Sequence, residues 1–471
     1  MSNQYQVAVG GAGAAGLCAA ISAARNGAKT ILVDYNGFLG GLSTMMPWLG
    51  FHDREYRLVV KGLGLEMVRR LQSEGAASEF CYDPKCGSAV GIDNSVWKCL
   101  AVEMVQEAGV NLLMQTQVVG TIRHGDRIGG IIIENKSGRS EITADHVIDC
   151  SGDGDVAARG GVAFQKGRES DGCVQTPSLA CRFGGIDHGA FLAGCRDKSL
   201  CYRQWVHDIP EVWDKTMARL DRMPMIVLGG FTSLVQKAKD NGEFDVPQSH
   251  VVGVHGPRPD ELTMVMSRVY GVDPTDARSL TDAYVALYGK QVRQLLRFFR
   301  KYIPGCKDCF IMEIGPILGV RESRRIVGDY MLNAEDLVSG RRFEDTVCMG
   351  AFHIDIHRPT GFWTTSKNVK AYGIPLRCMV AAGVEGLMMA GKCLSGTHEA
   401  HASSRVVPTC MGMGQAAGTA AAMAAARGIS VRELKIGELQ ELLTAQGAEL
   451  GHTLGEPNQS AIDEAGQLPL D

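Results

Sequence analysis

Aromatic residues are scarce, at 6% of the 471-residue chain, and there is no surplus of basic charge. Lys and Arg total 48 against 52 Asp and Glu, a net charge of −4, so the composition gives no reason to expect a nucleic-acid partner. Long apolar runs are missing as well. The stretch from Gly414 to Ala426 is apolar but short and built of Ala and Gly, below the ~20 residues that span a bilayer. The N-terminus has no charged segment followed by an apolar core, so no signal peptide is expected. Fifteen cysteines are an odd number at a density far below that of a disulfide framework. Cys18, Cys99, Cys150 and Cys393 sit in apolar surroundings, where thiols behave as small hydrophobes. A reducing compartment is expected, and with it a cytoplasmic location. No internal repeat or low-complexity tract is present. A chain that is 45% apolar and 21% charged has an ordinary globular composition, which excludes disorder.

Glycine, by contrast, is abundant, with 58 residues clustered without a fixed period. The first cluster carries the strongest local signal. Tyr5 to Val9 reads as a buried strand entering a G-x-G-x-x-G loop at Gly11, Gly13 and Gly16. Leu17, Ile21 and Ala24 follow at helical spacing, and Gly27 stands where a helix stops. Lys29 to Val33 reads as a second strand, ending in Asp34, 18 residues after Gly16. Strand, glycine turn, helix, strand and acid form a dinucleotide-binding unit. The glycines make the turn, admit a pyrophosphate and let the helix pack closely, and the acid is placed for a ribose hydroxyl. The loop alone does not choose between FAD and NAD. The glycine- and hydroxyl-rich run Gly37 to Thr44, which includes Gly41 and Ser43, suits FAD better.

A helix is expected over 95–108, and strands over 110–115, 118–123 and 128–134. Another apolar strand, Val147 to Cys150, ends in the glycine turn Ser151 to Asp155, at the strand end where α/β sheets bind ligands. From about residue 165 the βα texture is lost, and 280–302 reads as one long helix. Leu387 to Gly391 is again a strand into a glycine, and Thr409 to Arg427 a helix of small residues. The expected fold class is therefore α/β, a Rossmann-like domain interrupted by a mixed α+β insert. The expected segments are 1–165, an inserted substrate domain at 166–380, 381–430, and a C-terminal helix and tail at 431–471.

At this point the sequence resembles the FAD-dependent oxidoreductases distantly related to the fumarate reductase and succinate dehydrogenase flavoproteins. The matching stretches are Gly37 to Gly41, Val147 to Ala157, Gly319 to Arg325, Ile354 to His357, and above all Ala390 to Gly418. The resemblance implies a glutathione-reductase-type FAD fold with an inserted substrate domain. It also implies a C-terminal helix whose N-terminus faces the flavin. The candidate cofactor contacts are Gly11, Gly13, Ala14, Ala15, Gly16, Asp34, Gly41, Ser43, Val118, Gly152, Asp153, Gly391, Gly412, Gly414 and Gln415. The chain departs from flavoproteins of this fold at Lys392, which follows Gly391 where an Asp often stands. Cys306 and Cys309 form a further departure.

Two further absences narrow the chemistry. No cysteine lies within 35–52, so the flavin disulfide reductases are excluded, and a second nucleotide fingerprint for a bound nicotinamide is missing. The C-x-x-C at Cys306 and Cys309 has no partner pair and reads as ordinary thiols. His353, Asp355 and His357 alternate on one strand face, as a substrate pocket, a structural polar face or, least favoured, a metal site; no metal is expected. Arg321, Arg324 and Arg325 beside Glu322 either anchor a substrate carboxylate or form structural ion pairs. His398, Glu399, His401 and Arg405 lie between the last strand and the last helix, near the flavin if the fold holds. There they serve proton transfer or merely fix the loop.

The expected activity is oxidation of a small polar substrate by hydride transfer to flavin N5, with His398 or His401 as base. Arg321, Asp355 and His357 are the candidate substrate contacts. One rival reverses the chemistry, reducing an activated C=C with Arg405 as proton donor and Arg324 as carboxylate clamp. A second rival is a flavin electron-transfer subunit without a substrate of its own, against which the large insert argues. The expected partners are a small-molecule substrate and an unidentified electron donor or acceptor, with a homo-oligomer left open.

Overall fold

In the computed structural model the described residues are 3–46, 48–201, 209–256, 258–359 and 364–466. The N-terminal apolar run forms strand β1 (Gln4–Gly10), and the glycine loop opens helix α1 (Ala14–Arg25). Strand β2 (Thr30–Val33) lies parallel to β1, and β3 (Asn111–Leu113) lies parallel outside β2. Strands β4 (Gln117–His124), β5 (Arg127–Asn135) and β6 (Gly138–Asp149) form an antiparallel meander whose last member returns beside β1. β6 changes character along its length, and its sequence says why. Its first part, paired with β5, alternates buried Ile142 and Ala144 with exposed neighbours. Its last four residues, His146 to Asp149, are all buried beside parallel strands. One-sided antiparallel and two-sided parallel sheets have these two signatures.

Strand β7 (Phe164–Lys166) leads out of this part of the chain. The insert then forms a five-stranded sheet from β8 (Cys181–Gly184), β9 (Ile226–Gly230), β10 (Val251–His255), β11 (Leu262–Met264) and β12 (Phe310–Ile314). Its order is β9-β10-β11-β8-β12. It has its own core, centred on Phe183, Phe191, Phe231, Phe298 and Phe299. The helix expected over 280–302 starts earlier, at Ala277, and holds a π turn over Leu287–Gln291. At that turn the Gln291 amide binds both backbone groups of Arg268, at 2.8 and 2.7 Å.

Strand β13 (Arg324–Ile326) pairs antiparallel with β7. It is followed by β14 (Ile354–His357), and β15 (Leu387–Met389) re-enters the first sheet parallel to the end of β6. Apolar residues from Leu332 to Val380 join the first core, whereas the insert's core ends at Val320. We therefore place the return from the insert near residue 320, earlier than the 380 expected from texture. Helix α2 (Leu63–Ser73) packs against α1 within the first core. The chain then forms α3 (His398–Ser404) and α4 (Val407–Arg427), and α4 lies against α1. A Cβ on Gly414 would stand 2.1 Å from the Ala15 carbonyl oxygen, and one on Gly418 2.1 Å from that of Ala19. Only glycine lets these two backbones approach so closely. No helix among the described residues is long and apolar enough to cross a membrane.

Candidate active site

The glycine loop divides its work among three residues. Gly11 has φ +101°, and a Cβ there would meet the Cys150 carbonyl oxygen at 2.5 Å. A Cβ on Gly16 would stand 1.7 Å from the Gly11 carbonyl oxygen. Both are demanded by the fold itself. Gly13 differs, because it has an ordinary φ of −67° and nothing lies within 4 Å of its Cβ position. It opens on free space at the start of α1, beside Ala14 and Ala15, and no side chain caps that helix end. Unshared backbone N–H groups and a positive helix end there suit a pyrophosphate.

The Asp34 carboxylate reaches back to this loop. It accepts the Ala12 backbone N–H, and the Asn36 backbone and side-chain N–H groups at 2.7 and 2.9 Å. A Cβ on Gly41 would stand 3.1 Å from the Gly13 Cα, so the loop after β2 lines the same space. Val118 on β4 lies against Gly10. Gly152 and Gly391 both have positive φ, +77° and +96°, at the ends of adjacent strands β6 and β15. Lys392 spans that junction, donating to Asp153 Oδ1 at 2.7 Å and to the Val320 carbonyl at 3.1 Å. The cation after Gly391 thus has its counter-charge on the neighbouring strand turn.

Three of the expected cofactor contacts have partners within the protein. The Ser43 hydroxyl donates to the Gly40 carbonyl at 2.6 Å and accepts the Trp97 indole N–H at 2.8 Å. Gln415 accepts the Leu63 N–H at the start of α2, at 2.9 Å. Gly414 is the close contact between α4 and α1 described above. Gly412 lies in the second turn of α4, beyond a first turn formed by Val407, Pro408 and Thr409.

His398 opens α3 and is buried. Its Nδ1 stands 2.9–3.0 Å from both carboxylate oxygens of Glu322, which is 0% exposed. Glu322 also accepts the Gln175 N–H at 3.0 Å and pairs with Arg325. Arg325 is fixed in turn on the Gly396 and Gly167 carbonyls, each at 2.9 Å. With both Glu322 oxygens at Nδ1, that nitrogen is the ring's donor in this pair, and Nε2 is its other nitrogen. His401, one turn later, is buried with neither ring nitrogen bonded to a protein atom. Burial and the nearby Arg325, Arg405 and Lys392 push it well below the usual histidine value. It is a neutral ring that resists protonation, and unlike His398 it has no carboxylate partner.

A second cluster adjoins the first through Gln175. The Gln175 side-chain oxygen lies 3.5 Å from Arg405 Nη2 and 3.3 Å from the His357 N–H. Arg405 reaches the Asp355 carbonyl at 3.1 Å and its carboxylate at 3.6 Å, and His357 Nε2 bonds Asp355 at 3.0 Å. Arg321 donates to the Thr176 carbonyl at 2.7 Å. Burial works against the Asp355 carboxylate, but its His357 hydrogen bond and Arg405 hold it well below the usual range. Burial and Arg321 push His357 down to about 3, so it is a neutral donor to Asp355. Arg321, Asp355, His357 and Arg405, distant in sequence, are therefore neighbours, while His353 is buried just ahead of β14.

Residues 6–443 match the family described as FAD-dependent oxidoreductase. The chain belongs to that family. It is an enzyme, and FAD is its cofactor. The space at Gly13, the uncapped start of α1 and the Asp34 carboxylate fit the dinucleotide part of that cofactor. No curated protein sequence matches this FAD-dependent oxidoreductase. Among solved structures it is similar to a geranylgeranyl bacteriochlorophyll reductase-like protein of Thermoplasma acidophilum. Identity there is 11%, with 98% of each chain covered and a TM-score of 0.46. It is also similar to p-nitrophenol 4-monooxygenase PnpA of Pseudomonas putida DLL-E4, at 12% identity, covering 98% of this chain and 92% of that one, with a TM-score of 0.45. A triple mutant of the flavin-dependent brominase Bmp2 gives 13% identity, 94% and 84% coverage, and a TM-score of 0.45.

Arg324 does not join Arg321 and Arg405 in this flavoenzyme. It lies in β13 and turns to the end of β6, donating to the Asp153 carbonyl at 3.1 Å and to Asp155 at 2.8 Å. The expected carboxylate clamp is thus a brace on the Ser151 to Asp155 turn. Arg324→Lys should weaken FAD binding by roughly tenfold, about the 1.4 kcal/mol of one well-placed hydrogen bond. Its KM for substrate should hold. Reconstitution of apoprotein with FAD, followed by a KM measurement, checks this. A raised KM with unchanged FAD affinity would return Arg324 to the substrate.

Cys306 and Cys309 are both fully buried in the insert's core, and burial pushes both thiols up. Inert thiols are expected of such an environment. The double change Cys306→Ala, Cys309→Ala should leave turnover within about threefold, under 1 kcal/mol of barrier. A hundredfold loss with FAD retained would show that the pair takes part in electron transfer. A cavity of about 590 Å³ lined by Arg127, Asp145, His146, Glu385 and Arg432 also lies apart from the loop and the two clusters.

Proposed function

We propose that this flavoenzyme is a dehydrogenase that oxidises a small polar substrate, with His398 taking the substrate's proton. The observation that carries the reading is the buried Glu322–His398 pair, because it presents Nε2 as a base of fixed tautomer and orientation. Bound FAD supplies the hydride acceptor. Glu322 orients the imidazole and stabilises its charged form once the proton is taken. Arg325 pairs with Glu322 and holds it in place, and Gln175 links the pair to the Arg405 and Asp355 cluster where substrate is held. Burial of His398, Glu322 and Arg325 keeps water from competing for the proton.

The parallel order β3-β2-β1-β6-β15 with the β4 to β6 meander supports a glutathione-reductase-type arrangement. In it the FAD-binding part is formed from both ends of the chain and the insert closes over it. The test is anaerobic bleaching of the flavin against a panel of alcohols, amines and hydroxy acids. Saturable bleaching by one class, slowed by deuterium at the oxidised carbon, supports a dehydrogenase. Failure of the whole panel, with the chemically reduced enzyme reoxidised by activated alkenes, would reverse the direction of the reaction.

A further inference from the structure

The cluster around Arg321 and Arg405 has more donors than the protein satisfies. Gln175 is 1% exposed, yet its side-chain Nε2 has no protein partner, and neither has the buried Nε of Arg405. Both orphans are N–H donors, so what is missing beside them is an acceptor. The charge is unbalanced in the same direction. The two guanidinium groups face one carboxylate, that of Asp355, and His357 is neutral. The nearest other buried carboxylate, Glu322, is committed to Arg325 and His398. Arg268 stands close enough to add to the positive field at Arg321. The tips are not sealed in, since the side chains of Asp355, His357 and Arg405 are 18%, 20% and 14% exposed. They line an accessible recess rather than a packed core.

We infer that this recess binds a carboxylate group of the substrate, with Arg321 and Arg405 as its cationic anchors and Gln175 as a neutral donor. The inference rests on the dehydrogenase reading for the role of the bound molecule, but not for its charge. A planar carboxylate matches the fork of a guanidinium and the amide N–H of Gln175 together. Burial and the neighbouring Arg405 push Arg321 down to about 9, a penalty that an anion in the recess would relieve. The same Gln175 has its backbone N–H on Glu322, which holds His398, so the recess and the Glu322–His398 pair share a residue.

The experiment titrates the oxidised, FAD-loaded enzyme with malonate, with sulfate and with uncharged malonamide, reading the flavin difference spectrum and calorimetric heats. Malonate should bind saturably and malonamide should not. Arg321→Met should weaken malonate about tenfold or more, with FAD content unchanged. Arg321→Lys keeps the charge and guards against misfolding, and should show a smaller loss. His398→Ala should bind malonate as the wild type does. Equal binding of malonate and malonamide, or malonate binding indifferent to both Arg321 variants, overturns the inference. Sulfate binding without malonate binding overturns the carboxylate in favour of a tetrahedral oxyanion. If malonate binds through Arg321 but no carboxylate substrate bleaches the flavin, the site stands and the dehydrogenase reading falls alone.

Discussion

His398→Ala slows reduction of the flavin by substrate by roughly 10²–10⁴-fold, the usual worth of a general base, or about 3–5 kcal/mol of barrier. The structure gives three reasons to expect this of His398 and not of its neighbour. The ring is buried but bonded, through Nδ1, to a fully buried carboxylate. That carboxylate is locked by Arg325, so the imidazole cannot swing away. His401 lies among cations without a carboxylate partner and is driven towards neutrality. His401→Ala should therefore cost less than tenfold. FAD should stay bound in both variants, because the glycine loop is untouched. Stopped-flow bleaching of the flavin measures both rates, and added imidazole should restore part of the rate in His398→Ala alone. Rescue separates a missing base from a disturbed loop. Unchanged rates in both variants would move proton transfer to Glu399, Arg405 or the insert.

What could be read from the sequence was what is local. The dinucleotide loop was legible because its strand, glycines, helix and acid lie within the first 34 residues, at a spacing that assigns each glycine a task. The strand and helix around it followed from apolar periodicity. The pairing of the arginines was not legible. Arg321, Arg324 and Arg325 are nearly adjacent in the chain, yet they serve three different places. Arg324 begins β13 and faces the turn after β6, Arg325 is buried against Glu322, and Arg321 precedes the strand and faces the recess. A charge run gives no hint of that separation, because strand alternation matters only once the strand's start is known. Glu322 read as one member of that run, and its complete burial is a tertiary fact. The contacts that assemble the site are also long-range, with 182 residues between Gln175 and His357 and 239 between Asp153 and Lys392. The internal partners of Ser43, Gly414 and Gln415 were hidden for one reason. A hydroxyl, a glycine or an amide near a cofactor serves packing as readily as binding, and only the partner atom decides.

Gly13→Val converts the enzyme to largely colourless apoprotein that still folds. Gly13 differs from its neighbours in the loop. At Gly11 any side chain meets the Cys150 carbonyl and a strained φ of +101°, and at Gly16 it meets the Gly11 carbonyl, so both changes would damage the fold itself. At Gly13 the backbone is ordinary and nothing lies within 4 Å of a Cβ. The valine side chain is accommodated by the protein and stands in the space left for the pyrophosphate, in front of the N-terminus of α1. It removes the cofactor's access to those N–H groups and puts a branched apolar group where charge must be received. A loss of FAD affinity of a hundredfold or more, about 3 kcal/mol, is expected, with thermal unfolding of the apoprotein close to that of wild-type apoprotein. Gly13→Ala should fall between the two. FAD content after purification, and the unfolding midpoints of both apoproteins, test this. A Gly13→Val enzyme that remains yellow and fully loaded would show that the pyrophosphate does not approach the start of α1.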